Sequence, residues 1–199
     1  ITDFTVDETD REIIVTADRP YKFLYYDYNG NFLREKTSEA FYTEITRTTD
    51  NILAINSKVL EPKHYLSLLN EEDHRITVAK KIPLAFTYRG EFRCRGSYLL
   101  KSEHLYFTQN GDYTIYSWDN NRIKPVVTVD FGKYSYNPTQ LNEEPHAPAT
   151  RNKVLSIINV KEIRSNLFFN TNKIGLFVYN KTRHQIVHAY GITNTNLGI

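Results

Sequence analysis

The sequence has very few of the residues that build covalent or metal-based frameworks. Among its 199 residues, Cys94 is the single cysteine and methionine is absent. One thiol excludes an intramolecular disulfide and a zinc site built on cysteine ligands. No apolar run reaches the length of about 18 residues that a membrane-spanning helix needs. No signal peptide is visible at the start of the sequence.

Charge and catalytic motifs give no strong indication of a partner. The chain carries 25 lysines and arginines against 23 acidic residues, which leaves a formal net charge of +2. A field this balanced predicts no nucleic-acid partner. No HExxH zinc motif and no Gly-x-Ser-x-Gly nucleophile elbow occurs. We therefore predict no catalytic residue, no metal site and no cofactor.

Two short patterns resemble chemical motifs but are better explained by structure. Asp130-Phe131-Gly132 spells a kinase metal-binding triplet, yet its glycine-rich and His-Arg-Asp companions are missing. Gly132 is expected instead to turn the chain after a strand. His184 and His188 are four residues apart, and on the strand predicted there they would lie about 13 Å apart, too far to share a metal ion.

Aromatic strands that recur along the chain are its main feature. The fifteen tyrosines and eleven phenylalanines suit half-buried pleated surfaces. A strand–turn–strand unit occurs four times, in Tyr21–Phe32, Lys63–Ile76, Tyr113–Ile123 and Ile174–Ile186. Asp and Asn side chains favour turns because they hydrogen-bond the backbone two residues on. We expect the turn-opening residues at equivalent positions between third and fourth strands: Asp27, Asn70, Asp119 and Asn180.

These repeats predict an all-β fold, a β-propeller of four-stranded antiparallel blades with almost no helix. Within a single domain over residues 1–199, the units are expected at about 1–37, 40–83, 91–133 and 152–191. The segment 134–151 holds three prolines, which argue against a central strand. It is interpreted as a spacer between blades, and a functional loop is the alternative. Partial helical spacing after residue 154 is outweighed by a β-branched run, which favours a strand.

Three stretches carry a family resemblance: ITDFTVD (1–7), YYDYNGNFLRE (25–35) and YTIYSWDNNRIKPVVTVDFGKY (113–134). The chain resembles the six-bladed β-propeller proteins of Gram-negative gut bacteria, which are similar in pattern to NHL-repeat propellers. The resemblance implies two further blades before the first one here. It also implies an exported or lipid-anchored protein of the periplasm or cell surface, mostly of unassigned role.

A partial ring would leave apolar blade faces uncovered. We therefore expect the natural polypeptide to extend beyond Ile1. Residues 1–199 alone are expected to aggregate or to self-associate.

Charged residues in the first strand of three units are the candidate ligand-binding residues. The innermost strands of a propeller line its central channel, so repeated charges there predict a polar funnel for an anionic or sugar ligand. The alternative is that these charges pair across neighbouring blades. Two tyrosines could stack on sugar rings. The candidates are Glu44, Arg47, Arg93, Arg95, Lys161, Arg164, Tyr134 and Tyr136, and Glu91 and Glu162 fall in the same strands.

We expect a binding or scaffolding module of the cell envelope that recognises an unidentified glycan, peptide or protein. The alternative is a propeller hydrolase or lyase with its site at the channel mouth. The inner-strand residues are mostly basic or hydroxylic, which favours binding without excluding the enzyme. Binding is expected to depend on Arg47, Arg93 and Arg164, and not on His184 or His188.

Overall fold

The computed structural model describes residues 3–48, 51–56, 65–83, 98–102, 104–109, 112–119, 122–135, 152–173 and 175–189. The chain divides into two compact units, Ile1–Glu91 and Phe92–Ile199. The described residues contain sixteen strands, and their single helical segment is the 3₁₀ turn Gly132–Tyr134. The prediction of an all-β fold is therefore confirmed.

The first unit holds two four-stranded antiparallel meanders joined into one sheet. Their fourth strands pair in parallel, with Thr37 opposite Arg75 and Ser38 opposite Ile76. The sheet order is β1-β2-β3-β4-β8-β7-β6-β5. The strands are β1 (Asp3–Asp7), β2 (Glu12–Asp18), β3 (Tyr21–Asp27), β4 (Phe32–Ser38), β5 (Glu44–Arg47), β6 (Ile52–Asn56), β7 (Tyr65–Glu71) and β8 (Arg75–Pro83).

The second unit holds two separate four-stranded antiparallel sheets, ordered β12-β11-β10-β9 and β13-β14-β15-β16. The first comprises β9 (Leu99–Lys101), β10 (Leu105–Gln109), β11 (Asp112–Asp119) and β12 (Arg122–Thr128). The second comprises β13 (Ile157–Ile163), β14 (Asn166–Thr171), β15 (Leu176–Asn180) and β16 (Gln185–Ala189). The strand predicted after residue 154 is confirmed by β13. That the four groups of strands form a single domain stays a prediction.

Alternation along the strands builds one apolar core in each unit. In the first unit, Phe23 and Tyr25 of β3 pack with Ile45, Ile52 and Leu69 of the second meander. In the second unit, one cluster includes residues of both sheets, among them Tyr106, Ile115, Val160, Leu167 and Phe169. Within each unit, two four-stranded groups therefore share one buried layer.

Side chains in the first strand of one group, or directly after it, accept hydrogen bonds from backbone amides in the first strand of the next group. The Ile45 amide donates to Asp3 Oδ2 at 2.7 Å, and the Arg47 amide donates to Thr5 Oγ1 at 3.1 Å. Burial raises the pKa of Asp3, and the amide of Ile45 acts in the opposite direction. In the second unit, the Glu162 amide donates to Ser102 Oγ at 3.1 Å. These contacts satisfy edge amides that no further strand of the same sheet reaches.

The turn prediction holds at three positions and is wrong at one. Asp27, Asp119 and Asn180 each end the third strand of their group, whereas Asn70 lies one residue before the end of β7. The reason is that Glu71 also pairs, opposite Ile76, so this turn begins one residue later. Asp27 shows the expected chemistry, because its Oδ1 accepts the amides of Asn29 and Asn31.

β-Bulges recur in the outer hairpins of the first three groups of strands. The register shifts between Tyr25 and Tyr26, between Leu68 and Leu69, and between Ile115 and Tyr116. In each case the extra residue is on the fourth strand, and these residues are Leu33, Ala79 and Val126. Bulges bend an outer strand and make it a poorer template for pairing with another chain.

Candidate binding site

The predicted site residues fall in several different environments. Glu44 and Arg47 lie on β5 and Lys161 lies on β13, as predicted. Arg164 is not in a strand: it occupies the β13–β14 turn with a φ of 57°, because β13 ends at Ile163. Tyr134 ends the 3₁₀ turn and is largely exposed. Outside the described residues lie Glu91, Arg93, Arg95 and Tyr136.

Arg47 is held between two carboxylates of its own unit. Its Nε lies 2.7 Å from Asp7 Oδ2, and its Nη1 donates to Glu71 Oε1 at 3.1 Å. The Asp7 side chain is only 5% exposed and the Arg47 side chain 14%. Breaking a buried ion pair is costly, because it leaves an uncompensated charge. Arg47 therefore links β5 to both β1 and β7, which agrees with the alternative of pairing across neighbouring groups of strands.

Glu71 is the centre of this network. Its Oε1 also accepts the Tyr25 hydroxyl at 2.8 Å, and its Oε2 lies 3.4 Å from Lys36 Nζ. Burial and the neighbouring Glu71 charge raise the pKa of Tyr25, so the phenol stays a donor. The Arg34 guanidinium lies 4.2 Å from the centroid of the Tyr25 ring and forms a bidentate pair with Glu12. The contacts of Tyr25 and Lys36 with Glu71 connect the two meanders. The Arg34–Glu12 pair lies within the first meander.

Glu162 plays a similar part in the second unit, where its side chain is 1% exposed. Its Oε2 accepts the Tyr106 hydroxyl at 2.7 Å and lies 2.7 Å from His104 Nδ1, while Lys181 Nζ binds its Oε1. The carboxylate thus joins β13 to β10 and to the β15–β16 turn. Glu162 was noted in the sequence only as one of the inner-strand charges.

The remaining basic candidates that the structure describes lie at the surface. Lys161 and Arg164 are both exposed at the end of β13. Tyr134 lies under the Lys133 ammonium, whose nitrogen is 5.2 Å from the ring centroid, and its carbonyl accepts the Val154 amide at 2.8 Å. Among the described residues of the second unit, the predicted ligand-binding residues with solvent-exposed side chains are therefore Lys161, Arg164 and Tyr134.

A groove in the first unit offers a different candidate site. It has a volume of about 770 Å³ and opens where the β2–β3 turn meets the β4–β5 connection. We call it the rim groove, and its lining residues are Asp18, Arg19, Pro20, Tyr21, Glu39, Ala40 and Phe41.

The rim groove combines an accessible aromatic ring with charged groups of both signs. Tyr21 is 44% exposed, and its ring centroid lies 6.1 Å from that of the buried Phe41. Packing against Phe41 therefore restricts the position of the Tyr21 ring. Glu39 forms only a solvent-exposed pair with Arg75 at 3.7 Å, an interaction worth little. Sequence reasoning missed this site because its residues come from two connections, and no repeat motif marks them.

The histidines show no shared metal site. His184 lies in the β15–β16 turn with a φ of 52°, so the expectation that it shares a strand with His188 is wrong. Its Nδ1 is 3.0 Å from the Tyr179 hydroxyl, whereas the His188 ring stacks on Phe177 at 4.6 Å. Among the described residues, no three His, Cys, Asp or Glu side chains converge to hold a metal ion.

The fold defines the class of protein. Solved structures that superpose on the chain include BamB from Moraxella catarrhalis and the Pan2 WD40 domain from Neurospora crassa, each at 12% identity and a TM-score of 0.53. They match 94% and 95% of this chain, and 48% and 53% of their own chains. Together with the four-stranded antiparallel groups, this likeness confirms the prediction of a β-propeller fold.

A Bacteroides fragilis protein, described as exported, has a TM-score of 0.64 and 18% identity. The match covers 94% of this chain and 57% of that one, so the chain spans about half the length of the structures it matches. Over residues 1–199 the chain belongs to the family described as domain of unknown function DUF4934. It has no match among curated proteins. In the part that the structure describes, no helix is long and apolar enough to cross a membrane.

Proposed function

We propose that this chain is a binding module of the bacterial cell envelope, and that it recognises a glycan in the rim groove. The exported neighbour supports a location in the periplasm or at the cell surface. The propeller fold supports binding, because such rings present clefts on a rigid scaffold.

A six-bladed, NHL-like ring is part of the same proposal. The outer face of the first meander is apolar and open: Phe4 is 61% exposed and Phe32 is 55% exposed. Phe4 pairs with Val15, and Phe32 pairs with Tyr26, so the apolar residues continue across the sheet. Further blades of a longer polypeptide would cover this face in the way the second meander covers the opposite one.

The chemistry of the rim groove carries the choice of a glycan. An exposed tyrosine ring can stack on the C–H face of a sugar, while carboxylates accept hydrogen bonds from its hydroxyl groups. Asp18 and Glu39 supply such carboxylates beside Tyr21, and Arg19 supplies a donor. Because Phe41 supports the Tyr21 ring, stacking needs little reordering, which lowers the entropic cost of binding.

A glycan microarray, followed by calorimetric titration of the best oligosaccharide, tests the proposal. Tyr21→Ala should weaken binding by about tenfold or more, because it removes the central aromatic contact. Glu39→Gln should weaken it less. Tyr28→Ala is the matched control, since Tyr28 is equally exposed, at 45%, but does not line the groove.

The basic residues at the end of β13 are the competing candidates for the ligand-binding site. If the double variant Lys161→Ala, Arg164→Ala abolishes binding and Tyr21→Ala does not change it, the ligand binds at the β13 end and the groove proposal is wrong. A chain that binds peptides in a parallel peptide array but binds no glycan would also contradict it.

A further inference from the structure

The half-buried Glu71 and the buried Glu162 bind similar hydrogen-bond donors, and they differ in one of them. Each accepts a tyrosine hydroxyl and is bound by a lysine, Lys36 at Glu71 and Lys181 at Glu162. The remaining donor at Glu71 is the permanently charged and largely buried Arg47. At Glu162 that place is taken by His104, whose side chain is 58% exposed. A histidine has a second ring nitrogen that can bind something else.

The contact with Glu162 fixes the orientation of this imidazole. Glu162 Oε2 accepts, so His104 Nδ1 donates across the 2.7 Å contact. In the neutral ring the lone pair then lies on Nε2, the nitrogen directed away from the buried carboxylate. Tyr106 and Lys181 hold the carboxylate in turn. A carboxylate behind an exposed imidazole is the arrangement that orients histidine ligands in metal sites.

The β10–β11 register, continued by one residue, places Asp119 opposite His104, which directly precedes β10. Leu105 pairs with Trp118, and one step further along this register His104 stands opposite Asp119. Residues directly opposite in an antiparallel pair have side chains on the same face, with Cβ atoms about 5 Å apart. The neighbouring pair on that face, Tyr106 and Ser117, faces the same way. Lys124 is the main cause of the lowered pKa of Asp119 and His104 is a smaller one, which agrees with this closeness.

We propose that His104 Nε2 and the Asp119 carboxylate together bind a divalent transition metal ion, with water completing its coordination. Imidazole and carboxylate suit Zn²⁺ and Cu²⁺. Lys124 pairs with Asp119 at 2.6 Å, but both side chains are about half exposed, so the metal displaces this pair at little cost. Two protein ligands give a site of modest affinity that is independent of the rim groove.

Calorimetric titration of the intact chain with ZnCl₂ and with CuCl₂ tests the site. His104→Gln and Asp119→Asn should each weaken binding by about tenfold or more, and Glu162→Gln should do so by loosening the imidazole. His184→Gln is the matched control, because His184 Nδ1 bonds a tyrosine hydroxyl and not a buried carboxylate. It should leave the affinity unchanged.

Nitrogen NMR of the histidine rings supplies a second measurement. Zn²⁺ should shift the Nε2 signal of His104 and leave Nδ1 bonded to Glu162. Glu162→Gln could fail to fold, which circular dichroism would show, but the exposed positions His104 and Asp119 still decide the question. Equal metal binding by the original chain and by His104→Gln overturns the proposal, as does no binding up to about 1 mM metal.

Discussion

The Tyr25 hydroxyl donates to Glu71 Oε1 at 2.8 Å, between side chains 46 residues apart in sequence. The bond ties the third strand of one meander to the third strand of the next. Tyr106 and Glu162 make a similar bond at 2.7 Å in the second unit. In both units, a hydrogen bond from a buried tyrosine to a glutamate joins neighbouring groups of strands, in addition to apolar packing.

Tyr25→Phe should destabilise the first unit without changing its fold. The ring remains in the core, but Glu71 loses one of its donors, and a hydrogen bond to a charged group is worth about 1.5–3 kcal/mol. Urea denaturation followed by circular dichroism measures the loss. Tyr28→Phe is the control, because the Tyr28 hydroxyl makes only a long 3.4 Å contact. Equal stability of the two variants would contradict the role given to Tyr25.

Arg47→Met should cost more than the loss of any surface ion pair. It leaves Asp7 and Glu71 without their shared cation, and a broken buried pair typically costs about 3–5 kcal/mol. Arg75→Met removes only the exposed Glu39 pair and should cost about 1 kcal/mol or less. Denaturation midpoints compare the two. If Arg47→Met is as stable as Arg75→Met, Arg47 does not stabilise the fold. The prediction that Arg47 binds a ligand would then be favoured again.

The Asp27 carboxylate should make the free energy of unfolding decrease at acidic pH. The side chain and amide of Asn31 hydrogen-bond the carboxylate and lower its pKa below the usual 3.8. With the folded pKa below the unfolded one, this stabilisation is present above about pH 4 and is lost as the pH falls through the folded value. Asp27→Asn should therefore lose stability less steeply on acidification than the original chain. Urea denaturation at a series of falling pH values measures the slope, and equal slopes for the two chains would contradict this prediction.

Gly132 should be needed for its backbone conformation alone. Its φ is +56°, and a Cβ added there would meet nothing within 4 Å. Gly132→Ala should therefore cost about 1–2 kcal/mol, from left-handed strain without a clash, and Gly132→Asn should cost less. Gly175→Ala is the control, since a Cβ there makes an ordinary 3.6 Å contact. Thermal denaturation distinguishes them, and an unchanged midpoint for Gly132→Ala would contradict the strain argument.

The strands could be predicted because the alternation and turn residues that specify each strand lie within or next to it in the sequence. Alternation and turn residues mark β3, its turn at Asp27 and the hairpin that follows. They also mark β13, where β-branched residues outweigh a partial helical spacing. The errors in the predicted positions are of about one residue. Asn70 does not end its strand because β7 continues to Glu71, and Arg164 lies in a turn because β13 ends at Ile163.

The partners of the charged residues could not be predicted, because they depend on how separate groups of strands align. Nothing near Glu71 in the sequence indicates Tyr25 or Arg47, and nothing near Glu162 indicates His104. The rim groove likewise exists only after two connections meet. The sequence holds one signal for this groove: Tyr21, an aromatic residue, directly follows Pro20 at the start of β3.

A crystal structure of the chain with the best oligosaccharide from the array tests the central claim most directly. The account predicts a sugar ring stacked on Tyr21, with its hydroxyl groups bonded to Asp18 or Glu39. A ligand seated on Lys161 and Arg164, with the rim groove empty, would contradict it.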